Sequence, residues 1–168
     1  DVIRQLPDRF EVVALAAGRN ADLLAEQVAE FRPRYVAAES ESPGLASAIA
    51  TSGAISIPPE EMVVAPEVDI PLIGTAGSAG LLPTLQALHA GRPVAIANKE
   101  VLVMAGPLVR RAMLNGGGDL RPVDSEHSAI WQCLWGEEGH AIRRILLTAS
   151  GGALIMGLGG FTKVVGAA

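Results

Sequence analysis

Asp124 and Glu126, two residues apart, are the carboxylates of this 168-residue chain best placed to share a cation. If Asp124–Glu126 is extended, residues two apart point the same way. Two converging carboxylates repel each other unless a cation or a proton intervenes. Hard divalent ions such as Mg²⁺ or Mn²⁺ take such oxygens. The same five residues (Val123-Asp124-Ser125-Glu126-His127) also suit a helix start. Asp124 or Ser125 would then be the cap and Glu126 would sit in the first turn, with no metal required. A serine-hydrolase reading fails, because Ser125 and His127 are too close in sequence for a triad and no nucleophile elbow surrounds the serine.

Three further turns have the chemistry to hold a nucleotide. In Ala17-Gly18-Arg19-Asn20 the always-charged Arg19 can grip a phosphate with two bonds. An Arg at the end of the second strand of a dinucleotide fold accommodates the 2′-phosphate of NADP, where an acid would hold the ribose of NAD. The alternative is a plain turn with a solvated Arg. Gly74-Thr75-Ala76-Gly77-Ser78-Ala79-Gly80 allows close backbone approach ahead of a helix, although such turns also arise for purely geometric reasons. In Ala97-Asn98-Lys99-Glu100, Asn98 suits a helix cap and Glu100 a first turn, whereas Lys99 opposes the helix dipole. A residue placed against local preference hints at function, so site and cap both stand. Thr148-Ala149-Ser150-Gly151-Gly152 offers a hydroxyl and exposed amides to a phosphate monoester.

The elements that must position these turns alternate. Residues 2–6 read as the end of a helix stopped by Pro7, and Phe10–Ala17 as a buried strand. Ala21–Phe31 reads as an amphipathic helix with Leu24, Val28 and Phe31 on one side. Then come a strand at Tyr35–Ala38, a helix at Pro43–Ser52 and a short strand near Met62–Val64. Val68–Gly74 is expected to be a strand, Leu81–Ala90 a helix, Pro93–Ala97 a strand and Lys99–Leu114 a long helix. Pro122-Val123 is a short extended piece, Ser125–Trp135 a helix and Ala141–Thr148 an apolar strand. Strand and helix in alternation predict an α/β fold with a mostly parallel, doubly wound, Rossmann-like sheet. Gly116-Gly117-Gly118 is the best candidate domain boundary.

Hydrophobic residues form 49% of the chain and charged residues 18%, which argues against disorder. A net charge of −5 gives no footprint for nucleic acid. The single cysteine, Cys133, excludes an internal disulfide and reads as buried packing. His89 and His140 read as surface residues. No signal peptide is visible and the longest uncharged run is broken by glycines, so no membrane partner and a cytoplasmic location are expected.

In order and spacing, these motifs resemble the 1-deoxy-D-xylulose 5-phosphate reductoisomerase family. They are Ala17–Asn20, Ala79-Gly80-Leu81-Leu82-Pro83-Thr84-Leu85, Ala97–Glu100, Val123–His127 and Leu147–Gly152. The resemblance runs from about residue 1 to Gly152. It implies an NADPH-binding domain over 1–121, the start of an α+β catalytic domain over 122–152 and a divergent Gly-rich tail over 153–168. It also implies that Gly18, Arg19 and Asn20 hold the 2′-phosphate of NADPH and that Asn98 and Glu100 contact the cofactor. Lys99 would face the substrate, Asp124 and Glu126 would bind Mg²⁺ or Mn²⁺, and Ser125, Glu126 and Ser150 would contact the substrate. Catalytic roles fall to Lys99 and Glu126.

The implied reaction is a rearrangement and hydride reduction of a small phosphorylated sugar, in non-mevalonate isoprenoid biosynthesis, by a homodimer. Three of the family's features lie outside the resemblance. They are a Gly-Ser-Thr-Gly-Ser-Ile-Gly turn expected before residue 1, Pro-Phe-Arg after Ser-Gly-Gly, and a downstream Asn-Lys-x-x-Glu. The chain is therefore expected to be an incomplete, inactive piece. Another NADP-dependent dehydrogenase or a non-catalytic NADP-binding module are the alternatives.

Overall fold

The computed structural model describes residues 1–137 and residue 144. It divides into two compact units, Asp1–Leu120 and Arg121–Ala168. The first unit is α/β, with a Rossmann-like arrangement of parallel strands and helices. Its elements run α1 (Val2–Gln5), β1 (Ala14–Ala17), α2 (Ala21–Phe31), β2 (Tyr35–Ala38), α3 (Pro43–Ser52), β3 (Ile55–Ser56) and α4 (Pro59–Met62). They continue with β4 (Leu72–Ile73), a 3-10 turn at Gly77–Gly80, α5 (Leu81–His89), β5 (Pro93–Ile96) and α6 (Lys99–Gly116). Strand β6 (Asp119–Pro122) crosses the boundary, and α7 (Ser125–Leu134) belongs to the second unit.

The strands form two three-stranded sheets, ordered β1-β2-β3 and β4-β5-β6. In the first, Ala14 lies opposite Tyr35 and Ala17 opposite Ala38, and Tyr35 lies opposite Ile55, all parallel. In the second, Leu72 lies opposite Ala95 and Ile73 opposite Ile96, again parallel. Each sheet carries its own core. Leu24 and Val28 of α2 and Leu45 of α3 pack on Val36 of β2. Leu88 of α5 and Val101, Val109 and Ala112 of α6 pack on Ile73, Val94 and Ile96.

One segment ties the starts of both sheets together. Glu67 pairs with Arg34 at 2.5 Å and accepts from the Tyr35 hydroxyl at 3.3 Å, at the start of β2. Arg92, just before β5, donates to the carbonyls of Val68 at 2.7 Å and Ala65 at 3.1 Å. Both sheets therefore begin at this segment, and their carboxyl ends lie away from it.

The structure corrects several element boundaries. The strand expected from Phe10 is only Ala14–Ala17, because its ladder partner β2 is no longer than that. The strand expected near Met62–Val64 is the end of helix α4 and the turn after it. Pro59 at the first turn and Glu60 and Glu61 beside it favour a helix start. The pairing with β2 falls instead to Ile55–Ser56. Helix α6 runs past Leu114 to Gly116, kinked at Ala105 (φ −138°), with Pro107 inside it. At its end Gly117 adopts φ 78°, and a Cβ on Gly116 would lie 2.2 Å from the Leu88 carbonyl oxygen. The triple glycine thus lets α6 end against α5. The expected strand Ala141–Thr148 (apart from Arg144), His140, Ser150 and the 153–168 tail lie outside the described residues.

Candidate functional site

The turn Gly18–Asn20 joins β1 to α2 at the carboxyl end of the first sheet. Asn20 is the N-cap of α2, and its side-chain oxygen accepts from the Leu23 N–H at 3.1 Å. The neighbouring strand end is zipped to the same turn, with Glu39 N–H donating to Ala17 O at 3.2 Å and Ser40 N–H to Gly18 O at 3.3 Å. Arg19 is exposed, and among the described residues no carboxylate pairs with it. A planar cation at a strand end, with no carboxylate paired to it among the described residues, suits an anionic ligand. The sequence reading missed Glu39, whose carboxylate lies 3.4 Å from where a Cβ on Gly18 would sit. Its position directly after the apolar strand Tyr35–Ala38 was the available signal.

At the carboxyl ends of β4 and β5, the Gly74–Gly80 turn meets the start of α6. Asn98 is the N-cap of α6 and is 2% exposed. Its Oδ1 accepts from Val101 N–H at 3.1 Å, and its Nδ2 donates to the carbonyls of Thr75 and, at 2.9 Å, Gly77. Site and cap, left open by the sequence, are here one arrangement. Lys99 and Glu100 follow it, both exposed, as the first residues of α6. The Thr84 hydroxyl donates to Gly80 O at 2.6 Å. The Thr75 hydroxyl is buried and has no partner.

In the second unit the extended reading of Asp124–Glu126 gives way to the helical one. Ser125 begins α7, and Asp124 caps it, accepting from His127 N–H at 3.1 Å. The cap satisfies an orphan amide and places negative charge at the positive end of the helix dipole. Asp124 also pairs with the His127 ring, and Ser125 Oγ donates to Glu126 Oε2 at 2.8 Å. Both carboxylates lie at the start of α7, Asp124 as its cap and Glu126 in its first turn. Among the described residues no group of three acidic, His or Cys side chains converges to hold a metal ion.

Cys133, expected in packing, is exposed. The run Ala129–Leu134 is helical, which turns Cys133 to the side of Ala129 and Gln132, while Ile130, Trp131 and Leu134 are half-buried. His89 is exposed, as its sequence context suggests. Among the described residues no helix is long and apolar enough to cross a membrane.

Known proteins sharpen this picture. A relative from Gloeobacter violaceus, a 1-deoxy-D-xylulose 5-phosphate reductoisomerase, is 45% identical over 163 residues, covering 91% of this chain and 41% of that protein. One from a Geobacillus species is 46% identical over 158 residues, covering 91% and 42%. The chain thus spans about two-fifths of the length of these relatives. The solved reductoisomerase from Zymomonas mobilis, in complex with NADPH, superposes with a TM-score of 0.77 at 37% identity, over 92% of this chain and 42% of that one. A reductoisomerase structure with NADPH, fosmidomycin and magnesium gives 0.71 at 35% identity, over 79% and 34%. The family model for 1-deoxy-D-xylulose 5-phosphate reductoisomerase matches residues 1–106, and the model for that enzyme's C-terminal domain matches residues 120–158. On the strength of these matches, the chain belongs to the 1-deoxy-D-xylulose 5-phosphate reductoisomerase family.

Proposed function

We propose that this chain carries the 2′-phosphate loop and part of the metal and substrate site of an NADPH- and divalent-metal-dependent reductoisomerase. That enzyme converts 1-deoxy-D-xylulose 5-phosphate to 2-C-methyl-D-erythritol 4-phosphate, acting as a cytoplasmic homodimer. The observation that carries the reading is Arg19: an exposed guanidinium in the β1–α2 turn, without a carboxylate partner among the described residues. Gly18 keeps the turn slim beside the end of β2, and Asn20 fixes it to the first turn of α2.

When bound, NADPH supplies the hydride and the cation polarises the substrate ketone. The chain's own residues bind and orient. Gly18, Arg19 and Asn20 would grip the adenosine 2′-phosphate. Glu100 would lie along the cofactor, and Asn98 would support it. Lys99 would place its ammonium toward the phosphorylated sugar, balancing charge on the substrate oxygens. Asp124 and Glu126 would hold Mg²⁺ or Mn²⁺, while Ser125, Glu126 and Ser150 would position the sugar.

The test is cofactor binding by the full chain, followed by calorimetry. Arg19→Ala should weaken NADPH about 10- to 100-fold, as expected for loss of a charge-assisted hydrogen-bond pair. NADH, which lacks the 2′-phosphate, should bind the parent and the variant alike. An equal loss for both cofactors, or none for either, would remove the support for this reading.

A further inference from the structure

Asn98 is the most completely committed polar side chain in the cofactor unit. A primary amide has two N–H donors and one carbonyl acceptor. In Asn98 both donors go to backbone carbonyls of the Gly-rich turn, and the acceptor goes to the first turn of α6. At 2% exposure it has no donor left for a ligand. The space around it is equally full, since a Cβ on Gly80 would lie 2.8 Å from Asn98 Nδ2.

The consequence lies on the other side of the same peptide planes. In a trans peptide the C=O of one residue and the N–H of the next point in opposite directions, and no cis peptide occurs among the described residues. Drawing the Thr75 carbonyl toward Asn98 therefore turns the Ala76 N–H away from it. Drawing the Gly77 carbonyl in does the same for the Ser78 N–H. Ala76 and Ser78 are both exposed, at the carboxyl end of β4. Ligands of open α/β sheets lie outside those strand ends.

We infer that Asn98 is a positioning residue: it does not touch the cofactor through its side chain, but fixes the Gly74–Gly80 turn so that the Ala76 and Ser78 amides face an acceptor group of the bound nucleotide. The same side chain holds that turn against the start of α6, where Lys99 and Glu100 stand exposed. Asn98 thereby keeps two ligand-facing pieces in register. The inference rests on the cofactor reading above and assigns part of that site to backbone donors.

Asn98→Ser tests it. Serine keeps the N-cap of α6 but is too short to reach Thr75 and Gly77. Two probes are titrated into the full chain, NADPH and adenosine 2′,5′-bisphosphate, which carries only the Arg19-facing end of the cofactor. The expected result is an NADPH affinity at least tenfold lower with bisphosphate affinity unchanged. Unchanged affinity for both probes, or an equal fall for both, overturns the positioning role. A parent chain that binds neither probe sinks the cofactor reading and this inference with it. Should the variant not fold, the parent decides the matter by amide hydrogen exchange. NADPH must slow exchange at Ala76 and Ser78, and no protection there overturns the inference.

Discussion

Replacing Gly80 by alanine should destabilise the first unit, although nothing in its backbone conformation demands glycine. Gly80 has φ −79° and ψ −10°, within the right-handed region open to any residue. The obstacle is space. A Cβ would lie 2.8 Å from Asn98 Nδ2, 2.8 Å from Ile73 Cγ2 and 3.0 Å from Thr75 Oγ1. Relaxed heavy-atom contacts sit near about 3.5–4.0 Å, so each neighbour must retreat by several tenths of an ångström or more. Neither of the two nearest can do so freely: Ile73 is core and 6% exposed, and Asn98 is held at both ends. Overpacking of this kind costs about 1–3 kcal/mol. Alanine recovers about 0.4–1 kcal/mol by restricting the unfolded chain, leaving a net loss of about 1–2 kcal/mol. For a chain of this size that lowers the melting temperature by about 2–8 °C.

Gly106→Ala supplies the control, because a Cβ there meets nothing within 4 Å and the residue lies inside α6. The same chemical change should stabilise at that position by about 0.5–1 kcal/mol. Both variants would be unfolded in urea beside the parent, with exchange at the Val94 and Ile96 amides reporting the first unit separately from the second. A Gly80→Ala chain as stable as the parent would refute the packing argument. So would a Gly106→Ala chain as damaged as Gly80→Ala.

The cap made by Asp124 and the metal role proposed for it are separable. Asp124→Asn keeps the cap on α7 but removes the carboxylate, so helix content by circular dichroism should hold while Mn²⁺ affinity by calorimetry falls about tenfold. Asp124→Ala should lose both, with about 1 kcal/mol of helix stability; Mn²⁺ binding undiminished in the Asn variant would remove Asp124 from the metal site. Glu39 places a negative charge beside the turn assigned to the 2′-phosphate. Glu39→Gln should therefore tighten NADPH about two- to fivefold through relief of partly screened repulsion, leave NADH unchanged, and have less effect at high salt. An equal gain for both cofactors would mean that Glu39 acts on the shared adenosine and not on the phosphate.

Much of this was legible because local chemistry and tertiary need agreed. Helix α2 begins at the side-chain cap Asn20, and α3 begins at Ser42 followed by Pro43 and ends at Gly53 in the left-handed conformation. Strand β2 begins two residues after Pro33, itself buried. Periodicity could not settle Met62–Val64, where an apolar run ends a short helix and Met62 and Val63 enter the core as helix and turn residues. Nor could residue type settle Asn98. Its suitability as a cap was visible, but the two carbonyls it holds lie 21 and 23 residues earlier in the chain. The proposed metal pair shows the same limit: the spacing of Asp124 and Glu126 fits both an extended and a helical local structure, and only the folded segment decides between them.

The two sheets and the nucleotide site express one feature of the fold. Strand β1 continues an uncharged apolar run, Val12–Ala17, of the kind found in strands covered on both sides. Yet none of its residues is buried, and on β4 Leu72 is 64% exposed. Strands β2 and β5, the middle strand of each sheet, bury Val36, Val94 and Ile96. Natural edge strands are usually blunted with charge or proline, and β1 has neither. By residue type β1 reads as an interior strand, yet it ends its sheet, as β4 ends the other. The segment at Ala65–Val68 ties down the starts of both β2 and β5. A doubly wound sheet reverses its strand order once, and ligands bind outside the strand ends at that reversal. The carboxyl-terminal turns of β1 and β4, each an end strand of its own sheet, are Gly18–Asn20 and Gly74–Gly80. Those turns carry the exposed Arg19 and the exposed Ala76 and Ser78, and the proposed cofactor site is built from them and not from the turns after the other strands.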